Sequence, residues 1–381
     1  MRLYFIMLYY KTMKKLLIIT NIPSPYRVDF FYYLQKHITD YEIHVMFQAE
    51  NDASFRKWDG GEERLKNVHF LKSGVIRKTG TDISEKFLPY GTSRAIKSIR
   101  PDVVAAMEYN MAAIAAKHWC NIHKVPYISW SDGTCFSERN IHLYQKLCRK
   151  YIIKNTAAFI ASSTKTKENQ IRMGAPADRI FISGLSIDIR KYAEAGNVYD
   201  PDGALICVGS LIKRKGTDLL LDALALIREE KWELNIVGEG PEEENLRSQA
   251  ASLGIEHRVH FCGFTTGAAL TEMYEKSSVF ILPTREDCFG LVILEAMCCG
   301  LPVISSRYAD GAYDLVKDDQ NGLIIDPYDK RSFADAIMTL IRNSGKKTGM
   351  SIASKKISAE SCFENTSEGF IGALRKSQEK L

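Results

Sequence analysis

The sequence predicts an α/β protein made of two doubly wound, Rossmann-like domains. Three observations lead there. The chain has 381 residues, more than one ordinary core holds. Short apolar runs, each followed by a loop and a helix-like stretch, recur from Met13 to Met173 and restart from Ala204 to Arg342. Between the two series, residues 187–203 (IDIRKYAEAGNVYDPDG) are polar and turn-rich, as a linker would be. The expected parts are therefore an upstream extension over 1–12, a first domain over 13–186, the linker, a second domain over 204–345, and terminal helices over 346–381. These last would pack back on the first domain.

Taken in order, residues 1–12 hold an apolar run of only eight, Leu3 to Tyr10. That is too short to span a membrane, and no small-residue cleavage site follows. An upstream start codon before a natural Met13 is the expectation, with a weak interfacial anchor as the alternative. Met13–Thr20 reads as a buried parallel strand. It runs into the proline-containing loop Asn21–Arg27 and a helix from Val28 to His37, the opening of a doubly wound domain. Strands are expected at Tyr41–Phe47, Val68–Leu71, Asp102–Met107, Pro126–Trp130 and Ala157–Ser162. Helices are expected at Gly91–Arg100, Asn110–His123 and Thr164–Met173. In the second half the strands are Ala204–Val208, Trp232–Val237, Val259–Phe261, Val279–Leu282, Pro302–Ser305 and Gly322–Ile325. The helices are Thr217–Glu229, Glu242–Leu253, Leu270–Lys276, Gly290–Cys299 and Phe333–Arg342.

Composition narrows the class. At 45% hydrophobic, 25% charged and 10% aromatic, the chain is globular. Nine cysteines, an odd number without a C-x-x-C pair, argue against a disulfide framework and for a reducing cytoplasm. Residues 1–200 carry 30 Lys and Arg against 19 Asp and Glu, a net +11; residues 201–381 carry 21 against 27, a net −6. Either two domains simply differ, or the first faces an acidic surface such as anionic lipid or a phosphorylated acceptor. No nucleic-acid motif, G-x-S-x-G, G-K-[ST] or G-x-G-x-x-G after a first strand is present. His118, Cys120 and His123 lie close together, but on a helix they point apart and make no metal set.

The richest stretch is Pro283–Pro302, PTREDCFGLVILEAMCCGLP. Glu295 is the one acid of an apolar helix closed by Gly300 and Pro302. Asp287 lies eight positions earlier, and between them the amides of Phe289, Gly290 and Leu291 would face outward at a helix start, where an anion is favoured. Two acids around an anion cradle suit a long, anionic, hydroxylated ligand such as a nucleotide sugar. Gly209–Gly216 adds Lys213, Arg214 and Lys215 at a sheet mouth: a phosphate grip, or a solvated basic loop. Gly238 would let a nucleoside approach the backbone, or only make a turn. Phe264 would offer an edge to a base, or sit in the core. Asp310 would line the same pocket, or only its loop. Arg27 would reach an anion across the cleft, or pair on the surface with Asp29 or Asp40.

These motifs, G-S-x-x-x-x-K-G, then VGEGP, then D-x-F-G-L-x-x-x-E-A-M-x-x-G-L-P-V-I, resemble the retaining glycosyltransferases of family 4, strongly over Leu205–Ala336 and weakly before. The loop Ser24-Pro25-Tyr26-Arg27 is similar to that of a subgroup with P-x-P-Y-R. The resemblance implies a GT-B fold with the two domains facing across a cleft. It implies transfer from a nucleoside-diphosphate sugar without metal or cofactor, to an acceptor held by the first domain. By the same resemblance Glu295 holds ribose hydroxyls, and Asp287, shorter than the usual glutamate, contacts the transferred sugar. Cys288, Phe289, Gly290 and Leu291 meet sugar and phosphate, and Lys215 meets the diphosphate; Gly209 and Gly238, read from glycine's backbone freedom alone, would let the donor approach the chain. Ser210 replaces a frequent arginine whose charge Arg214 takes over. A family histidine of the first domain has no match; Glu108-Tyr109 or Ser131-Asp132 occupies its ground, with Tyr26 and Arg27 nearby. The expected partners are a sugar nucleotide, a glycan or lipid-linked acceptor and an anionic membrane surface on the cytoplasmic side, with no nucleic acid. The alternatives are a nucleotide-sugar epimerase of the same fold and a non-catalytic sugar-nucleotide-binding partner.

Overall fold

A computed structural model describes residues 13–50, 59–78, 84–193 and 199–379. The expectation for residues 1–12 lies outside the described residues. The first domain runs β1 Lys14–Thr20, α1 Pro25–His37, β2 Tyr41–Phe47, β3 Val68–Phe70, β4 Lys72–Lys78, β5 Ser84–Tyr90, α2 Thr92–Ile99, β6 Val103–Met107, α3 Met111–His123, β7 Tyr127–Ser131, α4 Leu143–Ile153, β8 Ala158–Ala161, α5 Thr164–Arg172 and β9 Ile180–Ile182, followed by the short α6 Arg190–Ala193. The second runs β10 Ala204–Val208, α7 Thr217–Ala225, β11 Leu234–Val237, α8 Glu243–Ser252, β12 Val259–Phe261, α9 Gly267–Glu275, β13 Ser277–Leu282, α10 Leu291–Cys298, β14 Val303–Ser306, α11 Ala312–Leu315, β15 Gly322–Ile325 and α12 Lys330–Arg342. Helices α13 Ser344–Ala359 and α14 Phe363–Ser377 end the chain.

Seven strands form the first sheet, in the order β3-β2-β1-β6-β7-β8-β9, and six the second, in the order β12-β11-β10-β13-β14-β15. Every pairing within both sheets is parallel. Buried parallel strands need apolar side chains on both faces, and Leu16-Leu17-Ile18-Ile19 and Val279-Phe280-Ile281-Leu282 supply them. The order reverses between β1 and β6 in the first sheet and between β10 and β13 in the second. Ligands of open α/β sheets bind beyond the carboxyl ends of the strands at such reversals. The chain thus builds two switch points, one per domain.

Several elements depart from the expected layout. An antiparallel pair, β4 with β5, stands apart from the main sheet. Helix α4 and the short strand β9 fall where no element is expected. The first turn of α10 begins at Leu291, with Gly290 left-handed at φ 76° as its cap. At the other end of the chain, α13 packs on α10 and α12, whereas α14 lies on β7, β8 and β9 of the first sheet. All nine cysteines are free thiols. No described helix is long and apolar enough to cross a membrane.

Candidate active site

The second-domain switch point gathers most of the residues singled out above. After β10, Gly209 opens a loop whose Lys213–Lys215 segment makes one 3₁₀ turn. That turn points its three cations differently. Lys213 pairs outward with Asp218 at 2.6 Å, and Arg285 grips the same carboxylate at 2.6 and 2.8 Å. Arg214 donates to the Glu286 carbonyl at 2.9 Å. Lys215 meets Asp287 at 2.5 Å, in the loop after β13. Lys213 therefore belongs to a surface network, while Arg214 and Lys215 face the loop after β13.

Asp287 is held from four sides. Its Oδ1 accepts the amides of Phe289 at 3.1 Å and Gly290 at 2.9 Å, while Oδ2 takes Lys215. Its own amide donates to the Tyr308 carbonyl, and its carbonyl accepts from the Asp310 amide. Burial alone would raise its carboxyl, but the Lys215 ammonium and the Phe289 amide hold it below the ordinary carboxylate range. This corrects the expected anion cradle. The Phe289 and Gly290 amides serve Asp287 instead of facing outward. The amides of Leu291 and Val292, in the first turn of α10, are the ones that helix geometry leaves for a ligand.

Glu295 follows about one turn into α10, as its fifth residue. Tyr274 donates its hydroxyl to Oε2 at 3.1 Å, and Tyr192 supplies a second hydrogen bond. Burial lifts the carboxyl to about 7, and the two tyrosines only partly offset it. Neither tyrosine was visible as a site residue. Tyr192 lies in the segment read as linker, and Tyr274 in the expected helix Leu270–Lys276; the one signal is that a buried tyrosine needs a partner for its hydroxyl.

The remaining residues expected at the donor divide. Gly238 sits at φ 145°, and a Cβ there would run into the Gly209 carbonyl, so close backbone packing alone requires glycine. Phe264 is 39% exposed, which corrects the core reading, and its amide donates to Glu239. Ser210 is exposed beside half-buried Gly209, and Phe289 is buried beneath the loop. Burial pushes the Cys288 thiol up to about 12, with a hydrogen bond from Ser137 of the first domain working against it.

At the first-domain switch point, Tyr26, Arg27, Glu108 and Asp132 line a cavity of about 260 Å³ with Thr20 and Phe87. Arg27 is only 4% exposed, correcting both the surface reading and the pairing with Asp29 or Asp40. Its Nη2 reaches both Asp132 oxygens, at 2.8 and 2.7 Å, and its guanidinium lies 4.9 Å from the Trp130 ring centre. Asp29 instead takes Arg64 and Lys191. Glu108 ends β6 at φ 63°, a left-handed conformation uncommon for a side chain of that size. It accepts the Asp132 amide at 3.0 Å. Burial and then the Asp132 charge raise its carboxyl to about 8. Strain and a displaced titration together, at a sheet switch point, are what a functional carboxyl shows.

The two switch points face each other. Thr134 hydrogen-bonds Asp310, so Asp310 bridges the domains instead of only forming a loop. Arg139 pairs with Glu286 at 2.5 Å, and Phe136 stacks on Tyr308 with centroids 5.2 Å apart. From the first domain, the Asp132 carboxylate adds to the upward push on the Cys288 thiol. A larger hollow, about 600 Å³, opens beyond β14 and β15 near Arg307 and Asp326; it holds none of the residues singled out from sequence.

The family model for glycosyl transferases group 1 matches residues 188–357. An uncharacterized glycosyltransferase of Haemophilus influenzae is 33% identical over 172 residues, 45% of this chain and 48% of that protein. A D-inositol 3-phosphate glycosyltransferase of Rhodococcus jostii is 25% identical over 249 residues, 61% and 55% of the two chains. The chain spans about half the length of the curated relatives it matches. Among solved structures, Anabaena Alr3699/HepE in complex with UDP superposes with a TM-score of 0.77 at 19% identity, over 95% of this chain and all of that one. The apo lipopolysaccharide outer core galactosyltransferase WaaB does so at 0.73 and 19%, over 95% and 99%. At such identities the likeness shows the fold, and the fold is the two-domain GT-B arrangement that the resemblance implies.

Proposed function

We propose that this chain is a retaining glycosyltransferase of family 4, in the subgroup with a P-x-P-Y-R loop. It takes a sugar from a nucleoside-diphosphate donor and passes it to a hydroxyl of a cell-surface glycan or its lipid-linked precursor. The observation that carries the reading is the convergence of Arg214, Lys215, Asp287 and the start of α10 at the second switch point, opposite the Arg27–Asp132–Glu108 cavity. The match over residues 188–357 supports a donor domain there. A structural neighbour bound to UDP adds weight to a nucleotide donor.

In this reading Glu295 holds the ribose hydroxyls, and the tyrosines on it fix the carboxyl's orientation. The hard step is departure of the diphosphate. Arg214, Lys215 and the open amides of α10 stabilise charge as it develops on the leaving oxygen. The protein's own cations thereby do the work of a metal. Asp287 keeps Lys215 aimed and contacts the transferred sugar. The first-domain cavity is close to neutral, because Asp132 cancels the charge of Arg27. It therefore suits hydroxyls better than a phosphate.

The test is binding followed by turnover. Nucleoside diphosphates screened by thermal shift should raise the melting point of the full chain. Lys215→Ala should lower turnover by about 10² or more while leaving the fold intact. Wild-type turnover and nucleotide binding in Lys215→Ala and Glu295→Ala would overturn the assignment.

A further inference from the structure

Outside the cleft, helix α4 turns its apolar side to solvent. Leu143 is 73% exposed and Leu147 58%, with Tyr144 and Tyr151 exposed beside them. At about 100° per residue these four share one arc of about 100°. Lys146 and Lys150 adjoin that arc, and Lys154 caps the helix; all three are exposed. The opposite side of α4 buries Ile152, Ile153 and Arg149, the last neutralised by Glu138. A helix that faces inward with its arginine and outward with its leucines is not arranged for water alone.

The charge pattern extends beyond α4. Helices α2, α3 and α4 pack side by side on one face of the first sheet. Their 8, 13 and 11 residues include no aspartate or glutamate. From Arg139 to Lys167 the chain has seven Lys and Arg and no acid. Exposed Arg94, Lys97 and Lys124 extend the basic field across α2 and the end of α3, and Ile122 adds another exposed apolar side chain. None of these three, nor the three α4 lysines, pairs with a carboxylate among the described residues.

We propose that the α2–α3–α4 face is the surface by which this protein lies on an anionic lipid bilayer, with α4 as the inserting element. Leucine and tyrosine enter the headgroup boundary, while lysine stems stretch to the phosphates. The basic field supplies the electrostatic attraction to anionic lipid. Charge complementarity selects this occupant. A two-fold contact between copies would set Lys146, Lys150 and Lys154 against the same lysines, with no acid to relieve them. The face also adjoins the cleft. The loop from Asp132 in the cavity to His142 leads directly into α4, and Asn110, which caps α3, donates to Asn21 at the cavity wall. A lipid-linked acceptor could therefore reach the cavity from the surface on which the protein rests.

Flotation of the full chain with vesicles tests this. Vesicles of phosphatidylcholine with phosphatidylglycerol should carry about tenfold more protein than phosphatidylcholine alone, and the excess should fall with rising salt. Leu143→Ser/Leu147→Ser and Lys146→Glu/Lys150→Glu should each remove most of that excess, with melting points unchanged. Equal partition onto both vesicle types, or wild-type binding by both double variants, would overturn the proposal. So would a dimer abolished by the same substitutions in a chain that does not float. Flotation needs no nucleotide, so a chain that floats yet binds no nucleoside diphosphate would defeat the donor reading alone.

Discussion

Glu295 is the residue at which binding and stability pull in opposite directions. Burial lifts its carboxyl from the ordinary 4.5 to about 7. Between those values the folded chain binds more protons than the unfolded one, so stability falls as pH rises through that window and stays lowered above it. Glutamine keeps the shape and removes the charge. Glu295→Gln should therefore melt higher than the parent above pH 7 and match it near about pH 4.5, while losing nucleotide affinity. One pKa unit corresponds to about 1.4 kcal/mol, and Glu295 keeps some access to solvent, so a gain on the order of 1–2 kcal/mol is expected. Melting curves across this pH range check it; a Tm change independent of pH would contradict the account. Asp287 has the opposite sign. Burial would raise its carboxyl, yet Lys215 and the Phe289 amide hold it low, so its contribution is present at neutral pH and lost on acidification. Eight positions apart, one acid stabilises the fold as an anion and the other is tolerated as one.

At the scale of elements, the terminal helix belongs to the first domain's core although it follows the second in sequence. Phe370 of α14 is fully buried, meeting Trp130 at 5.6 Å and Phe30 at 6.3 Å between ring centres. Phe370→Ala should cost about 3–5 kcal/mol, read as an equal loss in denaturant unfolding free energy. A loss below about 1 kcal/mol would mean that α14 is not part of that core. Such long-range packing leaves little local mark, which is why the tail shows only sparse apolar spacing. What was legible is what local physics writes. Buried parallel strands appear as unbroken runs such as Leu16–Ile19, and the second-domain switch point appears as glycines and charges at strand ends. Helix α4 was not legible because its apolar stripe, Leu143, Leu147 and Tyr151, faces out and its buried side carries Arg149. Strands β4 and β5 were hidden by Lys72, Lys86 and Pro89, and β9 by its three-residue length. The tyrosines on Glu295 come from two distant segments, and no spacing rule connects them.

The whole molecule is two domains joined twice by the chain and once by contacts across the cleft. The chain crosses between β9 and β10 and returns between α13 and α14. Across the cleft, Thr134 meets Asp310, Arg139 meets Glu286 and Phe136 stacks on Tyr308. Tyr308 and Asp310 are also the backbone partners of Asp287, so the clasp and the acid proposed to meet the donor share one short segment. Loosening the clasp should therefore alter donor handling more than it alters folding. The Arg139–Glu286 pair is partly exposed, and such surface pairs contribute about 0–1 kcal/mol, so Arg139→Ala should leave Tm nearly unchanged. In the triple variant Thr134→Val/Phe136→Ala/Arg139→Ala the domains lose three mutual contacts while each keeps its own core. Closure sets how completely water leaves the cleft and how well the two switch points align. Small-angle scattering should show a larger radius of gyration for the triple variant, shrinking less on nucleotide addition, and KM for the donor should rise about 5–10-fold, a coupling of about 1–1.4 kcal/mol. If scattering and KM both stay at wild-type values, the clasp is a passive contact and closure is governed by the two chain crossings and the remaining contacts, such as the Thr164 amide on Asp314.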